Sequence, residues 1–178
     1  MDWNRALREQ WEWHWNSQVR ERLDGLTDDE YFWSPVPGDA WNVRRHDDGS
    51  TTIDFVYPQP VPPPFTTIAW RLAHVIVGVL AMRNASHFGA PPAAYETWTY
   101  AGDAKTALEQ LHTQLDVWTA GVRGLSEDDL ATPVGPEEPY PDAPMADLVL
   151  HIHRELIHHL SEVALLRDLY QHTNGAGR

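Results

Sequence analysis

The chain has 178 residues, enough for one domain with a sizeable core. Its formal net charge of -13 argues against duplex nucleic acid and anionic membrane surfaces, both of which need clustered Lys and Arg. With no cysteine, disulfides, zinc ribbons and a cysteine nucleophile are excluded, so a metal falls to His, Asp or Glu and any thiol comes from outside the chain.

The opening Met1-Asp2-Trp3-Asn4-Arg5 lacks the basic-then-apolar layout of a signal peptide. Leu7, Trp11, Trp15, Val19 and Leu23 then recur every four residues, predicting a first helix from about Trp3 to Asp24, ended by Gly25. Thr27-Asp28-Asp29-Glu30 reads as a capping box opening a short helical turn. Residues 41 to 57 read as a β-hairpin: Trp41, Val43 and Arg45 alternate before Asp48-Gly49, and Ile53 and Phe55 alternate after it. Pro58, Pro60, Pro62, Pro63 and Pro64 make a stiff extended crossover. A second helix is expected from a cap at Thr66 or Thr67 to Phe88, stopped by Gly89. Its first part, Ile68 to Met82, is the most apolar segment but carries Arg71 and His74, which argues against a membrane span. A third helix follows Asp103 and runs to about Gly124. Ser126-Glu127-Asp128-Asp129 suggests another capped short turn. Pro144 is expected in the first turn of a fourth helix that runs to about Tyr170. The expectation is an all-α, single-domain four-helix bundle over residues 1–178, with a hairpin insertion and proline crossover at about 38–65, between helices 1 and 2.

Ten histidines and nine tryptophans stand out. The tryptophans read as core and helix-packing mass. At about 100° per residue, Trp70, Val77, Gly78, Ala81, Ala85 and Phe88 fall on the same face as His74. An imidazole there needs its nitrogens satisfied, by a metal ion or by a buried hydrogen bond. The fourth helix reads His151-Ile152-His153-Arg154-Glu155-Leu156-Ile157-His158-His159. Glu155 and His159, at i and i+4, project from one face about a turn apart. The apolar stripe Leu148, Val149, Ile152, Leu156, Leu160 and Val163 places His159 beside the core and Glu155 at its edge. His151 and His158 rotate toward solvent, and His153 points to the opposite flank. The face argument selects Glu155 and His159, with His151 and Glu155 as the next pairing.

His74, Glu155 and His159 together make a two-nitrogen, one-oxygen set that suits zinc with an open fourth position. Nickel and iron(II) also fit. Glu109-x-x-His112 and Glu155-x-x-His158 echo the unit of di-iron carboxylate bundles, but the second helix offers no carboxylate to complete such a site. His153-Arg154-Glu155 lacks the His-Glu-x-x-His spacing of metalloproteases, and there is no P-loop and no Gly-x-Ser-x-Gly.

Three segments, Trp70 to Val75, Arg83 to Gly89 and Arg154 to His159, resemble the DinB-like superfamily of metal-binding helical bundles, and the resemblance covers most of the chain. Many such proteins use three histidines, two of them at i and i+4 on the last helix; here Glu155 takes the first of those two places. The resulting His, Glu, His set is similar to that of mycothiol-dependent maleylpyruvate isomerase relatives, mapping onto His74, Glu155 and His159. The superfamily also includes thiol S-transferases using bacillithiol, mycothiol or glutathione. The resemblance therefore implies a metal-dependent enzyme that uses a low-molecular-weight thiol for S-transfer or isomerisation of a small electrophile, in a chain whose lack of a signal-peptide layout and of a membrane span predicts a cytoplasmic location. It also implies a homodimer. Near the expected site, His151 or His158 is the candidate to move protons, and Arg83 the candidate to hold a carboxylate of the cofactor. The alternatives are a metal-dependent hydrolase and a non-enzymatic metal- or ligand-binding stress protein.

Overall fold

The structure, a computed structural model, describes residues 1–174. The first long helix opens as α1, Trp3–His14, where the Asp2 side chain accepts from the Arg5 amide. It continues through a π-helical stretch, Trp15–Val19, into α2, Arg20–Leu23. A repeat of four drifts about 40° per step on a regular α-helix. The wider π turn takes that drift back and keeps Trp11, Val19 and Leu23 on the buried side. The capped turn α3, Asp28–Tyr31, has the expected reciprocal bonds between Thr27 and Glu30.

The hairpin pairs β1, Val43–Arg45, with β2, Thr51–Ile53, placing Val43 opposite Ile53. The ladder ends at Arg45 and Thr51, so residues 46–50 form a loop longer than the tight turn that Asp48-Gly49 suggests. Gly49 still supplies a positive φ of 82°. Phe55 lies beyond β2 rather than in the ladder, because the Asp54 carboxylate accepts from the Asn42 amide and from Arg44 and closes the pairing there. Buried Val43 docks the hairpin on the bundle, and the Thr51 hydroxyl donates to the Tyr100 carbonyl. At its base the Trp41 amide donates to Phe65, and the Thr67 amide to Trp41.

Thr67 caps the second long helix, whose first part is α4, Ile68–His74. A π-helical stretch, Val75–Ala81, leads into α5, Met82–Phe88, which ends at left-handed Gly89. A uniform 100° per residue therefore fails directly after His74, because each π turn shifts the phase of the residues beyond it. Val77 and Ala81 are fully in the core, whereas Ala85 and Phe88 are only half-buried.

The third long helix, α6, Ala104–Gly124, is capped by Asp103 as expected. A short turn, α7, Glu127–Ala131, carries a capping box from Ser126 and Asp129. The fourth, α8, is Met145–Asn174. Pro144 stands just before it, its carbonyl accepting from the Asp147 amide, rather than inside the first turn. No Gly or Pro interrupts α8, and it passes the expected end at Tyr170.

The four long helices enclose a core of Ile68, Leu72, Leu111, Trp118, Ile152 and Leu156. α3 is tied to α8 by a buried ion pair, Arg167 Nε donating to Glu30 Oε1 at 3.0 Å. Among the described residues no helix is long and apolar enough to cross a membrane.

Candidate metal centre

His74 closes α4 opposite the middle of α8. Its ring meets that of His159 edge to face, with centroids 4.8 Å apart. Trp70, one turn earlier on α4, stacks on His74 at 5.3 Å. His74 Nδ1 and the Tyr95 hydroxyl share a hydrogen bond of 2.7 Å. Burial and the neighbouring His159 push the His74 imidazole down to a pKa of about 4, against the pull of Glu155, so the ring is neutral at pH 7.

His159 is fixed in a different way. Its Nδ1 lies 2.9 Å from Glu162 Oε2. Burial alone would raise the Glu162 pKa, but the bond from His159 and the Arg71 guanidinium outweigh it and hold the carboxyl below its ordinary value. An ionised carboxylate only accepts, so His159 Nδ1 carries the hydrogen, and in the neutral ring Nε2 keeps its lone pair. Glu155 Oε2 lies 3.5 Å from that Nε2. The structure thus brings together the three residues selected from the sequence: His74 against His159, and Glu155 beside His159. A buried hydrogen bond also satisfies one nitrogen of each histidine, so the two ways of satisfying His74 weighed from the sequence are not exclusive.

Glu162, Arg71 and Tyr95 escaped the sequence reading. Glu162 is one turn beyond His159 and carried a detectable signal, whereas Tyr95 sits in the loop after the second helix and carried none. Among the described residues, the group of three whose donor atoms all lie within 4.8 Å of one another is His158, His159 and Glu162, which includes neither His74 nor Glu155. In that grouping Glu162 is already the acceptor for His159 and for Arg71, and His158 is mostly exposed.

The residues expected to handle protons and substrate separate. His151 lies one turn before Glu155, 3.8 Å from Oε1, and its Nδ1 accepts from Arg154. Together with Arg83, Glu138, Leu148 and Arg154 it lines a cavity of about 270 Å³. His158 instead lines a separate groove toward α1, with Leu7 and Ile157. Arg83 does hold a carboxylate, but one from within the chain. Its Nη2 pairs with buried Glu138 at 3.2 Å, and its Nη1 donates to the Gly78 carbonyl at 2.8 Å. Glu138 takes a second bond, from His87. His153 borders the same groove as His158 but is itself buried against Trp11 and Trp118, with ring centroids 6.2 Å from each.

Two imidazoles and a carboxylate contributed by two facing helices are donor types that suit a divalent cation. A family model described as the DinB superfamily matches residues 10–163, more than half of the chain. The chain belongs to the DinB superfamily. DinB proteins usually bind a metal, in agreement with the donor chemistry between α4 and α8. Comparisons with curated proteins and with solved structures returned no match.

Proposed function

We propose that this DinB protein holds a divalent cation through His74, Glu155 and His159 and acts with a low-molecular-weight thiol on a small electrophile. One observation carries the reading. Two imidazoles from facing helices meet at 4.8 Å, each with its Nδ1 already engaged, by Tyr95 in one case and Glu162 in the other. Metal-binding histidines use this arrangement, in which the outer nitrogen is held so that the inner one is presented. Zinc suits the set best, and nickel or iron(II) fit the same donors.

Bound there, the cation would favour the thiolate form of a small thiol. The other roles fall to the chain. The 270 Å³ cavity has room for a small molecule, and His151 in its wall lies 3.8 Å from Glu155 Oε1. His151, with Nδ1 accepting from Arg154, has an Nε2–H to donate in its neutral form. Arg83 lines the cavity wall with its guanidinium paired to Glu138, which lines it too. The absence of cysteine agrees with a borrowed thiol, and the reducing cytoplasm is the setting in which such thiols stay free.

The test is metal content and turnover together. The wild type should carry one zinc per chain and consume electrophiles such as maleylpyruvate or chloro-dinitrobenzene only when mycothiol or a similar thiol is present. His74→Ala and His159→Ala should each lose the metal. Full metal content in both variants sinks the ligand assignment. Turnover that ignores the thiol sinks the thiol chemistry and leaves the ligands standing.

A further inference from the structure

The groups that fix the His74 ring lie outside the donor set, and they lead back to the hairpin. Trp70 stacks on one face of the ring, and its Nε1 donates to the Asp54 carbonyl at 2.7 Å. The Tyr95 hydroxyl bonds Nδ1, and the Tyr95 ring stacks on Phe55 with centroids 5.0 Å apart and planes 12° apart. Asp54 and Phe55 directly follow β2, so consecutive residues hold the two side chains that hold His74.

Gly78 supplies an independent observation. A Cβ built at this position would lie 2.0 Å from Tyr95 Oη and 3.3 Å from His74 Nδ1. The first distance is far inside contact, so any other residue would expel the hydroxyl from its place. Gly78 is in the π-helical stretch that begins directly after His74. Such stretches within helices are frequent at functional sites. The missing side chain makes room for one particular hydrogen bond.

That bond has a chemical consequence. A neutral imidazole carries its hydrogen on one nitrogen only, and a phenol can either accept or donate. Only when Tyr95 accepts from Nδ1–H does His74 Nε2 keep the lone pair a metal needs. We propose that Tyr95 is a positioning residue for His74, its hydroxyl receiving Nδ1–H so that Nε2 is presented to the cation, and that the hairpin keeps Tyr95 in place through Phe55. The proposal rests on the assignment of His74 as a ligand.

The experiment is zinc affinity by competition with a chromophoric chelator, on the full chain, for Tyr95→Phe, Gly78→Ala, Phe55→Ala and His74→Ala. Circular dichroism and thermal unfolding check that each variant folds. Tyr95→Phe removes one oxygen and should weaken zinc binding by about 10–100-fold, the range for loss of an outer partner. Gly78→Ala should do the same by displacing the hydroxyl. Phe55 is 47% exposed, so Phe55→Ala should spare the fold and weaken zinc binding by a smaller factor. In the zinc-loaded wild type, nitrogen NMR should show His74 in the Nδ1–H form with a slowly exchanging proton, and Tyr95→Phe should lose that slow exchange. Wild-type affinity in both Tyr95→Phe and Gly78→Ala, with His74→Ala still losing zinc, overturns the positioning role while sparing the ligand. Wild-type affinity in Phe55→Ala alone overturns the part given to the hairpin. If His74→Ala itself binds zinc fully, the ligand assignment fails first and takes this proposal with it.

Discussion

A carboxylate taken out of water must have its charge balanced where it sits, and Glu30 and Glu138 do so with the same chemistry in different places. Glu30 is 4% exposed and bonded by Arg167, which also donates to the carbonyls of Arg22 and Asp24. Burial raises its pKa, but the bonds from Arg167 and Thr27 outweigh burial and leave the folded value below the ordinary 4.5. A depressed folded value stabilises the fold above the unfolded pKa, and that stabilisation is lost as pH falls through the folded value. Glu30→Gln leaves Arg167 buried without its counter-charge and should cost about 3–5 kcal/mol at pH 7. It should also flatten the loss of stability below about pH 4.5, the ordinary carboxyl value. Urea unfolding of both proteins at pH 7 and down an acid series reads both effects. Glu138 is held below its ordinary value in the same way, against burial, by His87 and Arg83. There the result is to pin the 132–144 connection over the second helix, beside the cavity.

At the level of elements, the second and third long helices show how little tolerance the packing has. An added Cβ at Gly121, near the end of α6, would lie 2.3 Å from the Phe88 ring at the end of α5. Phe88 in turn packs edge to face on buried Trp118 at 5.4 Å. Gly121→Ala gains about 1 kcal/mol of helix propensity. It also forces Phe88 aside, an overpacking that costs about 1–3 kcal/mol. The expected outcome is a lower unfolding temperature than the wild type, despite a better helix former, as measured by calorimetry. The two π-helical stretches belong to this scale as well. One keeps a repeat of four on the buried side of the first helix, and the other opens the wall beside His74.

Across the whole molecule, the proposed ligands come from the second and fourth helices, whose packing exists only in the folded state. A cation bound to them adds to stability by mass action, about 2.7 kcal/mol at a free concentration one hundred times the dissociation constant. Thermal unfolding should therefore shift upward with added zinc and return on chelation, and the shift should vanish in His159→Ala. A zinc response that survives in His159→Ala would mean that the cation acts elsewhere on the chain.

The sequence by itself determined the features that depend on a turn or two of chain. Caps at Thr27, Asp103 and Ser126 stand where they were read, Thr67 is the one of the pair Thr66 and Thr67 that caps, Gly89 ends its helix, and the stripe from Leu148 to Val163 is the core face of α8. The same local reasoning could name His74, Glu155 and His159 as candidates, because helix phase sorts side chains by face. It could not see that His153 is buried between Trp11 and Trp118, or that Glu138 occupies Arg83. Nor could it see the π turns, because they break the constant phase on which the reasoning depends. Tyr95 reaches His74 from 21 residues away through a gap left by Gly78. Only the tertiary structure decided these points. Periodicity and capping act through bonds along one helix, whereas the partner of a buried polar atom is chosen by whichever segment packs against it.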